Sequence, residues 1–113
     1  MNTASASSRQ RLPNRRFSTT FNFVCNALTY AASVSYYPSG NLAEIFIRNS
    51  KAGSDSDSAA KDSAIVCSLA LQHGVPLATI RKTLLRGPRG VASSPLGVAL
   101  DLIAAWESEQ CPR

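Results

Sequence analysis

The chain is poor in the side chains from which most active sites are built. Among 113 residues it has one histidine, His73, one methionine, one tryptophan and three cysteines. Cys25, Cys67 and Cys111 are widely spaced and form no CxxC pair, so a structural zinc site lacks its nitrogen and sulfur donors. Cys67 lies in the apolar run "AIVCSLAL" and reads as a small core residue rather than a nucleophile. Such scattered thiols suit a reducing cytoplasm. No apolar run approaches the roughly 20 residues of a membrane span, and the N-terminus lacks the hydrophobic stretch of a secretory signal. There is no GxSxG elbow and no GxxxxGK[ST] loop. Asp55, Asp57 and Asp62 gather near one point, but no second carboxylate cluster completes a cation cage.

Acidic residues are also missing from the first sixteen positions, which hold Arg9, Arg11, Arg15 and Arg16. That segment accounts for +4 of the net charge of +5, and the remainder is close to neutral. The segment "MNTASASSRQRLPNRR" buries no apolar area and reads as a disordered basic tail over residues 1–16. Its arginines make a phosphate-contacting arm one reading, with strong salt dependence.

After residue 16 the hydrophobic period becomes two. "FSTTFNFVC", "LTYAASVSYY" and "NLAEIFIR" each alternate, which predicts three strands. Asn26-Ala27 makes one short connection and Pro38-Ser39-Gly40-Asn41 the next, so the strands form an antiparallel meander. From Ser58 to Gln72 the spacing of Ala60, Ala64, Cys67 and Leu71, with apolar residues beside them, predicts a central helix buried on more than one side. Gly74 is its left-handed stop. A second helix starts at Pro76, with Leu77, Ile80 and Leu84 on one side and Arg81, Lys82 and Arg86 in water. Ser94 before Pro95 caps a third helix running to about Glu107, with Ala99, Leu102, Ile103 and Trp106 at core spacing. Three strands followed by three helices packed on one face is an α+β domain over residues 17–107, with a C-terminal tail at 108–113. A three-stranded sheet leaves a face and edges bare, and Tyr36, Tyr37 and Phe46 point to a homodimer through it.

Two stretches are candidate anion sites. In "KAGSDSD", Lys51 and the amides around Ser54 would hold an anion at a helix start. The competing reading makes Ser54 an N-cap, with Asp55 and Asp57 opposing the helix dipole. In "GPRGVASSPLG", Arg86, Arg89, Ser93 and Ser94 surround a shaped loop with no acid close in sequence, and this is the stronger candidate. His73, beside Gly74, caps a helix C-terminus.

"RLPNRR", then "YAASVSYYPSG", "LAEIFI", "KAGSDSD", "SLALQHGVPLATIRKTL" and "SSPLGVALDLI" occur in an order that resembles the TSCPD-domain family. That family occurs as the C-terminal extension of adenosylcobalamin-dependent ribonucleotide reductases and as small stand-alone proteins. The "TSCPD" string and the paired CxxC motifs of the large reductases are absent, so the chain resembles the stand-alone branch. The resemblance, which is to adenosylcobalamin-dependent ribonucleoside-diphosphate reductases, implies a module of deoxyribonucleotide metabolism and DNA biosynthesis, acting by protein contact with a ribonucleotide reductase or by binding a nucleotide. Three scattered cysteines in 113 residues predict that it is not catalytic alone. The resemblance also implies no directly bound cofactor, with adenosylcobalamin present only through association with a reductase. Ribonucleotide reduction itself needs a radical cysteine, a redox cysteine pair and a radical-generating cofactor, which the resemblance places in a large barrel domain. The alternative is a small nucleic-acid-binding or phage-related protein that uses the arginine tail.

Overall fold

The computed structural model describes residues 8–110. Strands β1 (Phe17–Cys25), β2 (Leu28–Tyr36) and β3 (Leu42–Asn49) form one antiparallel sheet in the order β1-β2-β3. Helix α1 (Asp55–Gln72), the short α2 (Leu77–Thr83), a single 3₁₀ turn at Pro88–Gly90 and α3 (Pro95–Gln110) follow. The architecture is α+β, a three-stranded meander and then three helices. Alternation builds the core: Phe23 and Cys25, Tyr30, Ala32 and Val34, and Ile45 and Ile47 face the helices. Ala64, Cys67 and Leu71 of α1 and Leu96, Ala99, Leu100 and Ile103 of α3 complete it.

The hairpin between β1 and β2 sets the direction of every backbone group in the sheet. Asn26 and Ala27 both have left-handed φ, 51° and 67°, so this two-residue turn is type I′, whose twist matches the strands. The flanking pair Cys25 and Leu28 then exchanges both ladder bonds, and pairing alternates from there. Along β1, the odd-numbered residues bond to β2, while the amides and carbonyls of Ser18, Thr20, Asn22 and Val24 point to the free edge. Carried across β2 through the pairs Tyr30–Asn49 and Val34–Ile45, the same alternation turns the backbone of Ile45 and Asn49 outward from β3.

Helix α1 closes that β3 edge with side chains. Asn49 N donates to Asp57 Oδ1 at 2.8 Å, and Ile45 N donates to Ser68 Oγ at 2.9 Å. The Ser68 hydroxyl donates back to Ile45 O at 2.9 Å, and Gln72 Nε2 donates to Ala43 O at 3.2 Å. Asp57, Ser68 and Gln72 are all buried. They lie on one stripe of α1 with Ala60 and Ala64, whose small side chains let the helix come close. A helix laid on a strand edge, with hydroxyl, carboxylate and amide groups in place of a neighbouring strand, meets the requirement that buried backbone groups be paired.

Several boundaries differ from expectation for local reasons. Helix α1 is buried on one side only: Ile65, Val66 and Leu69 face outward. Helix α2 stops at Thr83 because Leu84 is extended, and Arg86 forms a bridge with Ala92. Helix α3 continues to Gln110, beyond the expected Glu107, and its buried stripe is Leu96, Ala99, Leu100 and Ile103. Trp106 sits at the margin, edge-on to Phe21 with ring centroids 4.7 Å apart. Tyr37 is buried and Tyr36 packs against the core, leaving Phe46 as the exposed member of the three aromatics expected on a bare face. Residues 8–16 carry no regular structure yet hold to the fold: Gln10 N donates to Gln72 O, and the Tyr37 hydroxyl donates to Gln10 O. Residues 1–7 of the expected tail, and Cys111, lie outside the described residues.

Candidate functional site

The residues proposed for anion binding fall into two groups at one end of the sheet. Ser54 is the N-cap of α1, its Oγ accepting from Asp57 N at 3.1 Å. Its hydroxyl donates to Lys51 O at 2.9 Å, while Lys51 N donates to Asn49 Oδ1 at 2.7 Å. Asp57 does more than oppose the dipole. It accepts from Gly53 N at 3.0 Å and Asn49 N at 2.8 Å, and pairs with Lys61 at 3.0 Å. These bonds, those from the Gly53 and Asn49 amides first, hold its carboxyl at a pKa of about 2. The capping reading therefore describes this stretch: the carboxylate occupies the amides that an anion would need. Asn49 Nδ2 is buried with no acceptor among the described residues.

The second group is the loop from Leu85 to Ser94. Ser93 N donates to Leu85 O at 3.1 Å and Gly87 N to Val91 O at 2.8 Å, folding the loop around the turn at Pro88–Gly90. Arg89 takes a left-handed φ of 66° there. Asn26 Nδ2 donates to Ser93 O at 3.4 Å, tying the loop to the β1–β2 hairpin. Ser94 Oγ accepts from Gly97 N at 3.1 Å, the expected cap of α3. Gly97 also lets the loop lie down, since a Cβ there would come within 2.9 Å of Ala92 Cβ.

So the structure brings Arg86, Arg89, Ser93 and Ser94 onto one loop, but the electrostatics differ from those read in sequence. Asp101, on the first half of α3, accepts from Arg86 through both carboxylate oxygens, at 2.8 and 2.9 Å, and from Arg81 Nε at 2.9 Å. The Arg86 guanidinium, then burial opposing it, then Arg81 leave the Asp101 carboxyl at about 2. Neither arginine is a solvated stripe residue. Arg86 also donates to the Gly90 and Arg81 carbonyls, so its fork is spent on holding the loop. Asp101 was missed as a competitor because it lies fifteen residues downstream of Arg86, almost two helical turns past the cap. An acid within the otherwise apolar stretch 95–106 of α3 was the available signal.

Two of the four tail arginines are likewise engaged. Arg9 Nε donates to Gln72 Oε1. Arg16 pairs with the buried Glu44 at 3.2 Å and donates to Pro13 O. Arg11 and Arg15 are exposed.

Two concavities complete the surface. At the opposite end of the sheet a cavity of about 370 Å³ is lined by Gln10, Tyr37, Asn41, Leu71, Val75 and Glu107, among others. Burial pushes the Glu107 carboxyl above its ordinary 4.5. A carboxyl whose value rises on folding contributes fully below its unfolded value and loses that contribution as pH rises through the folded one. Glu107→Gln is accordingly expected to raise Tm at pH 7 and to leave it unchanged below about pH 4. Paired thermal melts at the two pH values check this, and equal shifts at both would discount burial as the cause. The other concavity, about 310 Å³, lies between β3 and α1 and is lined by Ala31, Ser33, Phe46, Arg48, Lys61 and Ile65 with Ile47. Phe46 and Ile65 of its lining are exposed.

Chemically, the two thiols among the described residues, Cys25 and Cys67, are poor candidates for catalysis. Burial raises Cys25 and pushes Cys67 up to about 11, which keeps both protonated near neutrality. Among the described residues no group of three His, Cys, Asp or Glu side chains is placed to hold a metal ion, and no helix is long and apolar enough to cross a membrane. Neither a curated protein nor a solved structure matches the chain. The model of the TSCPD domain matches residues 5–112, and the chain belongs to the TSCPD-domain family.

Proposed function

We propose that this chain is a non-catalytic TSCPD module that acts on a ribonucleotide reductase by protein contact, within deoxyribonucleotide metabolism. The family is one associated with the C-terminal regions of ribonucleotide reductases. The observation that carries the contact reading is the apolar cleft between β3 and α1. Phe46 is 52% exposed and Ile65 49%, and both line it. Apolar side chains gathered in this way mark an interaction surface rather than the scatter normal on a monomer. Arg48 and Lys61 on its lining favour a partner segment that presents an apolar anchor flanked by acids.

Nucleotide binding, the other mode open to such a module, is favoured less because Asp101 and Asp57 already occupy the donors nearest the two candidate anion sites. The nucleic-acid reading loses support from the engagement of Arg9 and Arg16 with Gln72 and Glu44.

The test is calorimetric titration of the full chain into a reductase large subunit that lacks a tail domain of this type. Saturable binding is expected, and Phe46→Asp or Ile65→Asp should weaken it about tenfold or more. Binding that ignores both substitutions, or turnover of ribonucleoside diphosphates by the purified chain alone, would overturn the proposal. Melting scans with nucleoside diphosphates and with DNA at two salt concentrations separate the other readings, since a ligand stabilises the state it binds.

A further inference from the structure

The two edges of the sheet are treated differently. Along β3, the buried side chains Asp57, Ser68 and Gln72 of α1 take up backbone groups that would otherwise be open. Within the sheet of the described residues, β1 pairs with β2 on one side and with no strand on the other. β1 is nine residues long, longer than the usual strand of about five or six. "FSTTFNFVC" contains no charged residue, no proline and no glycine. The one irregularity of register lies between β2 and β3, at Ser35/Tyr36. Among the described residues, none of the devices that keep a strand edge from pairing with another chain is present.

We infer that β1 pairs antiparallel with β1 of a second copy about a two-fold axis at Phe21, making one six-stranded sheet across a homodimer. A two-fold contact must be self-complementary, and centring on Phe21 is the register that pairs all of Phe17–Cys25. In it Thr20 meets the second copy's Asn22, and Ser18 its Val24. These are the residues whose amides and carbonyls point to the free edge, so they form the hydrogen-bonded pairs of the new ladder. No like charges meet, because β1 carries none. Beneath the axis lie Phe21 and Trp106, stacked edge-on at 4.7 Å, with Trp106 38% exposed. Two such pairs brought together bury an apolar layer under the joined strands. A second copy fits this edge better than an unrelated strand because the ladder, the absence of charge and the aromatic layer all obey the same axis.

Sedimentation of the 12.0 kDa chain across a concentration series reads the mass directly, and Trp106, the sole tryptophan, reports its own burial by fluorescence. The wild type is expected to approach twice the monomer mass, with tryptophan emission shifting to the blue as concentration rises. Asn22→Pro removes an edge amide without touching the β1–β2 ladder and should raise the dimer dissociation constant at least about tenfold. Should that variant fail to fold, charge pairs carry the test. Thr20→Lys with Asn22→Lys sets like charges opposite each other across the axis and should give monomer. Thr20→Lys with Asn22→Glu makes the same positions complementary, restoring a dimer within about threefold of wild type at low salt. A monomeric wild type at every concentration, or a dimer indifferent to the sign of the residue at position 22, would overturn the inference. Neither outcome bears on binding to a reductase through the β3–α1 cleft.

Discussion

Replacing Asp57 with alanine lowers Tm by about 10 °C or more, the largest loss expected from any polar substitution in the chain. Asp57 is 1% exposed and joins three segments at once. It accepts from the amide of Asn49 at the end of β3 and from Gly53 in the connecting turn, and it meets Lys61 one turn further along α1. Alanine leaves the buried Asn49 amide facing an apolar side chain, where it is unpaired, and releases the Gly53 amide of the exposed turn to water. Asparagine is a poor substitute, because its amide group places donors where the carboxylate accepts. Ser54→Ala is the natural comparison: it removes only the cap bond to Asp57 N and should cost about 1 kcal/mol.

Acid should act through the same carboxylate. The Asp57 pKa falls from its ordinary 3.8 to about 2 on folding. A lowered value contributes stability that is complete above the unfolded pKa and is lost as pH falls through the folded one. The stability curve should therefore drop between about pH 4 and pH 2. Asp101, also held near 2 by Arg86 and Arg81, contributes to the same limb. Denaturation of Asp57→Ala across that range should show a shallower slope with the Asp101 part remaining. A variant as steep as the wild type would mean that the bonds to Asn49 and Gly53 are not carrying the shift.

Much of the scaffold was legible in sequence because its signals are local. Alternation in "FSTTFNFVC" and "LTYAASVSYY" marked β1 and β2, and Gly74, with φ of 92°, ends α1 where a left-handed residue was expected. The caps Ser54 and Ser94 also act within three residues of themselves. The polar seam between α1 and β3 was not legible. Ser68 and Gln72 look like interruptions of an apolar helix until β3 is placed beside them, and their partners lie 23 and 29 residues away. A stripe of small and polar residues within an otherwise apolar helix was the trace that this contact left. The charge of the loop from Arg86 to Ser94 was only half legible for the same reason: its arginine was visible, whereas Asp101 enters only when α3 folds back on α2.

Ser68→Ala tests that seam from its centre. The hydroxyl accepts from Ile45 N and donates to Ile45 O, both at 2.9 Å, and it is buried. Alanine removes one oxygen but orphans two backbone groups. At about 1–3 kcal/mol for each unsatisfied group, the loss should be about 2–5 kcal/mol. Chemical denaturation reads it directly, with an unchanged m value showing that the unfolded state is unaffected. Ser63→Ala is the control: its hydroxyl bonds back to Ala60 O within α1 and touches no strand, so the change should be within about 0.5 kcal/mol of neutral. A Ser68→Ala protein as stable as the control would show that water replaces the hydroxyl freely and that the seam is open. If the seam is closed, Ser68→Ala combined with Asp57→Ala should cost less than the two losses added, because once α1 lifts from β3 at one end, the contacts at the other are already weakened. The bared β3 edge would then be free to pair with other chains, and the double variant should aggregate on mild warming where the Ser63 control stays in solution.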